Sequence, residues 1–199
     1  NNVGSLVEPT TMSDYQADSK LPVGLFSHAD LQQHWMTSVP ETRSQVTGWA
    51  GRMADIIGGT NVNTGSSISM CVSLDTVNIL QTGGQTVPYI ISGDGASEVQ
   101  AYGQDWHRER IFTDLTDHLI SPQREYEHLL ERTFAGQTKT AIEAAIEFNG
   151  VIGVDDSMDA YFSDNPTNLE RQLRMVAKTI AGRQALNQNR QIFFVPHYG

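Results

Sequence analysis

The sequence predicts an α/β fold, a partial sheet with flanking helices and a β-hairpin insertion. Three observations predict it. Residues 122–148 and 166–183 carry apolar side chains at helical spacing. Residues 192–195 form an unbroken apolar run, the pattern of a parallel strand buried on both faces. That run follows directly on the last helix, as in half of a βαβ unit.

Bulk properties bound the protein first. A chain of 199 residues can bury one sizeable core, and one domain is expected over 1–199. There are 23 acidic against 13 basic side chains, a formal net charge of −10. Such a surface repels phosphate backbones, which argues against nucleic acid as a partner. No run of about 18 apolar residues exists to span a membrane as a helix. The single Cys71 excludes an internal disulfide and any cysteine-based zinc site, and its strand-like setting in "SISMCVS" predicts a small buried apolar residue.

In chain order, residues 2–7 read as a short strand that ends before Pro9, and a loop runs on to about Pro22. At "FSHADLQQHW", Ser27 and Asp30 have capping-box spacing, and Leu31 with Trp35 makes an i, i+4 apolar pair, so a helix starts there. "TGWAGRMADIIGG" is the next helix: Thr47 is a candidate cap, Ala50, Met53, Ala54 and Ile57 fall at helical spacing, and Gly58 with Gly59 stops it. Gly48 and Gly51 are poor helix formers and predict close backbone approach.

From Ser66 the pattern becomes strand-like in "SISMCVSL", "VNILQT" and "TVPYIIS", with Gly83-Gly84 predicting a hairpin between the last two. "GDGASEVQAYG" is a turn-rich loop. Residues 122–148 then predict a long helix weakened at Gly136. After a loop, Asp164 or Asn165 caps a final helix with Pro166 in its first position. Leu169, Leu173, Val176, Ala177 and Ile180 line its apolar face, and Glu170, Arg171, Arg174, Lys178 and Arg183 its solvated one. Residues 192–195 are the last strand. The sheet needs more strands than these, which predicts an incomplete domain.

Few residues invite chemistry. Ser27 places a hydroxyl at a helix N-terminus, where unpaired N–H groups favour phosphate or sulfate, with His28 beside it; the capping box alone also accounts for Ser27 and Asp30. His197 follows the C-terminal end of a buried strand, a favoured place for ligands in α/β sheets, although loop histidines are commonly solvated. Asp114, Asp117 and His118 share a helix face at metal-capable spacing or form a solvated one. Asp155, Ser157 and Asp159 imitate a calcium loop, but Ala160 stands where that loop needs glycine and no glutamate closes it. The P-loop, dinucleotide, zincin and nucleophile-elbow motifs are all missing.

Taken in order, "NVGSLVEPTT", "LFSHADLQQHWMTS", "TGWAGRMAD", "LERQLRMVAKTIAGRQAL" and "RQIFFV" resemble successive blocks of a bacterial family of exported proteins of unknown function in the alkaline phosphatase and sulfatase superfamily. The resemblance covers most of the chain and is weakest over a variable insertion at about 83–165. It implies an alkaline-phosphatase-like sheet and, since members usually carry twin-arginine signals, a periplasmic or extracellular location. It also implies a metal-dependent phosphate or sulfate ester hydrolase when intact, with two zinc-like divalent ions clamping a small anionic ester for in-line attack. The implied metal ligands, an Asp before the first block and an Asp-Thr-His after the last, lie outside the 199 residues. In that scheme Ser27 is the nucleophile or anion contact with His28 as neighbour, and His197, which stands where the family has small or apolar residues, is an added metal ligand or simple variation. The alternative implied by fold alone is a non-catalytic exported protein that binds a protein partner or self-assembles.

Overall fold

The computed structural model describes residues 10–18, 21–60, 62–122, 124, 126–154 and 156–197. The strand expected at residues 2–7 lies outside them. The helices are α1 (Met12–Gln16), α2 (His28–Thr37), α3 (Trp49–Gly58), α4 (His107–Ile120), α5 (Leu129–Ile152) and α6 (Asn168–Ala181); the strands are β1 (Cys71–Ser73), β2 (Tyr89–Ile90) and β3 (Ile192–Phe194). They group into two compact units. The first combines the chain up to Asn63 with Ser69–Ile90 and Arg190–Phe194, and the second combines Thr64–Ile68, Ile91–Asn189 and the chain from Val195 on.

The first unit holds a three-stranded, wholly parallel sheet in the order β2-β1-β3. This is the predicted α/β class. The central strand, "CVS", is buried at all three positions, as a strand covered on both faces must be. Ile192 donates to the Met70 carbonyl at 2.8 Å and Leu74 to that of Phe194 at 2.9 Å, which continues the β1–β3 ladder at both ends. Ala54 of α3 packs with Met70 and Cys71 in a small core, flanked by Ile57 and Ile192.

The hairpin expected around Gly83-Gly84 does not form. Asn78, the N-cap of a single 3-10 turn at Ile79–Gln81, accepts from Gln81 N, and the turn breaks the expected strand "VNILQT". Gly83 donates to the Thr86 carbonyl at 2.8 Å, so the glycines close a local turn, and β2 enters the sheet parallel to β1.

Gly48 and Gly51 do bring backbones together. A Cβ on Gly48 would lie 2.1 Å from the Ile79 carbonyl oxygen, and one on Gly51 2.2 Å from the Thr82 carbonyl carbon. The N-cap of α3 is Gly48 rather than Thr47, and its N–H donates to the Thr82 carbonyl at 2.8 Å.

In the second unit, α5 starts at Leu129 rather than near 122. Ile142, Ala145, Phe148 and Ile152 are buried, whereas Leu129, Leu130 and Phe134 near the start of the helix are exposed. The cap of α6 is Thr167, not Asp164 or Asn165: Glu170 N donates to Thr167 Oγ1 at 3.2 Å, and Glu170 Oε2 accepts from Thr167 N at 2.7 Å. This reciprocal box satisfies two otherwise orphaned N–H groups and leaves Pro166 outside the helix. The buried face of α6 is Gln172, Met175 and Thr179, while Leu173 and Ile180 stay exposed.

Candidate functional site

Ser27 is the N-cap of α2, and its hydroxyl oxygen accepts from Asp30 N at 3.3 Å. The capping box is only half made, because the Asp30 carboxylate turns to Arg43, which donates from Nε at 2.9 Å and Nη2 at 2.7 Å. That fork holds the Asp30 carboxyl below its ordinary pKa. Gly24 makes room for it: with φ of +71°, a Cβ there would lie 2.1 Å from Asp30 Oδ2. His28 occupies the first turn of α2 and is exposed.

His197 is exposed and follows β3 in the loop assigned to the second unit, whereas Ser27 and His28 belong to the first. Asp114, Asp117 and His118 do lie on one helix, α4, but Asp117 is taken by the Tyr102 hydroxyl at 2.5 Å. Among the described residues no group of three or more His, Cys, Asp or Glu side chains is placed to hold a metal ion. With Ser27 committed to a cap and Asp30 to an arginine, the described residues do not fit a two-metal centre.

The end of β1 is a more organised feature of the first unit. Ser73 Oγ donates to the Thr76 carbonyl at 2.8 Å and accepts from Asp75 N and Asn78 Nδ2, both at 3.3 Å. Gln81, fully buried, donates its amide to the carbonyls of Val72 at 3.1 Å and Ile192 at 2.9 Å and accepts from Asn78 Nδ2 at 2.9 Å. The loop leaving the C-terminal end of the central strand is thereby locked from two sides, and in open α/β sheets this is the edge where ligands gather.

A second feature lies wholly in the second unit: a cavity of about 290 Å³ bounded by the turn at residues 92–95, the C-terminal end of α5 and one face of α6. Asn149 of α5 holds the turn by accepting from Ala96 N and donating to the Ala96 carbonyl, each at 2.9 Å. Gly95 allows this contact: its φ is +112°, and a Cβ would lie 2.7 Å from Asn149 Oδ1. Lys178 and Arg174, expected on a solvated face, line the cavity instead, with side chains only 13% and 28% exposed. Helical spacing set them beside Met175, but the acids that draw them inward come from the preceding loop, and no periodicity reveals that. Lys178 Nζ lies 3.2 Å from Asp156 Oδ1 and 3.1 Å from Asp159 Oδ2. Burial alone would lower its pKa, but the two aspartates more than offset this and hold the ammonium above its ordinary value.

No family model matches this chain, and no curated protein or solved structure matches it either. Among the described residues, no helix is long and apolar enough to cross a membrane.

Proposed function

We propose that the chain is a segment of an exported protein of the alkaline phosphatase and sulfatase type, which when intact hydrolyses phosphate or sulfate esters with the help of divalent metal ions. The observation that carries this reading is the parallel order β2-β1-β3, with the loop after the central strand fixed by Ser73, Asn78 and Gln81. An all-parallel sheet of this kind presents its strand ends as one rim, and ester-cleaving α/β proteins build on that rim. The five sequence blocks supply the resemblance to that family, whose metal-binding Asp and Asp-Thr-His segments are not among these residues. On this reading Ser27 contributes as an anion contact through its hydroxyl hydrogen, which the cap bond accepted from Asp30 N leaves free to donate, and His197 as an added ligand.

A second reading, a non-catalytic binding or assembly protein, is favoured by a specific observation. Leu130 and Phe134, one turn apart on α5 in the second unit, are 83% and 72% exposed and so set two large apolar side chains side by side on an uncovered helix face.

The deciding experiment takes the longest natural open reading frame containing these residues and measures bound metal together with turnover of an aryl phosphate and an aryl sulfate. Bound divalent metal with turnover abolished by a chelator supports the hydrolase. Absence of both, with concentration-dependent self-association or a stable protein complex, supports the assembly reading.

A further inference from the structure

The cavity of the second unit has a chemistry that ester hydrolysis does not use. Lys178 hydrogen-bonds both Asp156 and Asp159, whereas Arg174 meets Asp159 only as a longer ion pair. Its Nε is 3.8 Å from Asp159 Oδ1, beyond hydrogen-bond length, and its guanidinium makes no hydrogen bond among the described residues. A planar five-donor fork, three-quarters covered and facing a cavity, is matched by a two-oxygen acceptor. Met175 and Ile152 give the same cavity an apolar wall, and Asp94, exposed on the turn at residues 92–95, lines it as well. That turn is fixed in advance: Asp94 N donates to Ser92 Oγ at 3.1 Å, Ser92 N donates to the Gly95 carbonyl at 2.8 Å, and Asn149 clamps Ala96.

We propose that this cavity binds a small organic monoanion carrying a hydrogen-bond donor, its oxyanion on Arg174, its carbon skeleton on Met175 and Ile152, and its donor on Asp94. Charge sets the selectivity. Lys178 is already matched by Asp156 and Asp159, so a single negative charge on the ligand can be met by the Arg174 fork, whereas a second finds no further cation in the lining and adds to the repulsion from Asp94. A cavity of about 290 Å³ lies just below the range typical of drug-sized ligands, which fits a hydroxy-carboxylate or a short hydroxyalkyl sulfate. Both offer the same singly charged, two-oxygen face to the guanidinium.

The test uses the full chain with ¹³C-labelled methionine methyl groups and reads the Met175 resonance by NMR, assigned with a Met175→Leu variant, so that binding elsewhere in the molecule does not register. Lactate, 2-hydroxyethyl sulfate and glycerol phosphate are titrated in parallel at fixed ionic strength. A saturable shift with lactate, the sulfate ester or both, and at least ~10-fold weaker binding of glycerol phosphate, is the expected result; which monoanion binds names the oxyanion. Arg174→Gln should weaken binding by ~10-fold or more through loss of a charged hydrogen-bonding partner, and Arg174→Lys by less. Asp94→Asn should narrow the gap between monoanion and dianion. An unchanged thermal midpoint in Arg174→Gln confirms that the fold is intact. No shift with either monoanion, an undiminished shift in Arg174→Gln, or glycerol phosphate binding as tightly as the monoanions overturns the proposal.

Discussion

Asp55 and Gly84 are joined by a 2.6 Å hydrogen bond from the glycine N–H to Oδ2, and the same carboxylate accepts from Thr86 N at 2.8 Å and Gln85 N at 3.2 Å. A side chain near the end of α3 thus holds three consecutive N–H groups of the turn that leads into β2. Gly83 must be a glycine for this, since a Cβ would lie 2.5 Å from Asp55 Oδ2. Asp55→Ala is expected to cost about 2 kcal/mol, with Asp55→Asn losing less, because hydrogen bonds to a charged acceptor are the stronger kind. Urea midpoints of the two variants measure it.

Acid should weaken the same contact. The hydrogen bonds of Thr86, Gly84 and Gln85 hold the Asp55 carboxyl below its ordinary 3.8. A folded-state pKa lower than the unfolded one contributes stability above 3.8 that is lost as pH falls through the folded value. Wild-type stability should therefore decline below roughly pH 4. The decline should be shallower in Asp55→Asn, which has no proton to gain there. Denaturation midpoints between pH 7 and pH 2.5 give the comparison.

Two glycine substitutions should act in opposite directions. At Gly51 a methyl group would meet backbone atoms of Thr82 at 2.2 and 2.3 Å, so Gly51→Ala is expected to destabilise by about 3 kcal/mol or more. Gly136 is exposed within α5 with open space around it, and Gly136→Ala should stabilise by about 1 kcal/mol. Thermal melts of both variants distinguish close approach from a mere weak point.

Cys71 should be inert in the native protein. It is fully buried in β1, and burial, with the nearby Asp55 charge, pushes the thiol up to about 11. A thiol reagent at pH 8 should label the folded chain only at the rate of its opening, and label it quickly in denaturant. Fast labelling under native conditions contradicts the buried position.

Gln81 is the polar keystone of the sheet. Its two amide hydrogens reach carbonyls of β1 and β3, so Gln81→Leu should cost about 2 kcal/mol. Gln81→Glu should cost more, because carboxylate oxygens would replace donors opposite two carbonyl oxygens. The order of their denaturation midpoints, wild type above Leu above Glu, is the expected outcome.

What was legible in the sequence is local. The helix at Ser27, the buried character of Cys71, the close approach at Gly48 and Gly51 and the strand expected at residues 192–195, which forms over Ile192–Phe194, all follow from patterns a few residues long, because caps, periodicity and missing side chains act over one or two turns. The parallel entry of β2 is not local: it depends on Asn78 turning the chain and on Asp55 gripping the glycine turn from another element, contacts that outweigh the hairpin preference of Gly83-Gly84. The buried face of α6 was likewise settled by tertiary contact, since Lys178 and Arg174 look solvated by composition until Asp156 and Asp159 arrive from a loop. The sequence by itself determined the helix capped by Ser27, the helix after Gly48, the last long helix and the apolar strands around Cys71 and Ile192; only the tertiary structure decided that "VNILQT" turns instead of extending, how the strands pair and which charges are drawn inside, because partners distant along the chain leave no periodic trace in it.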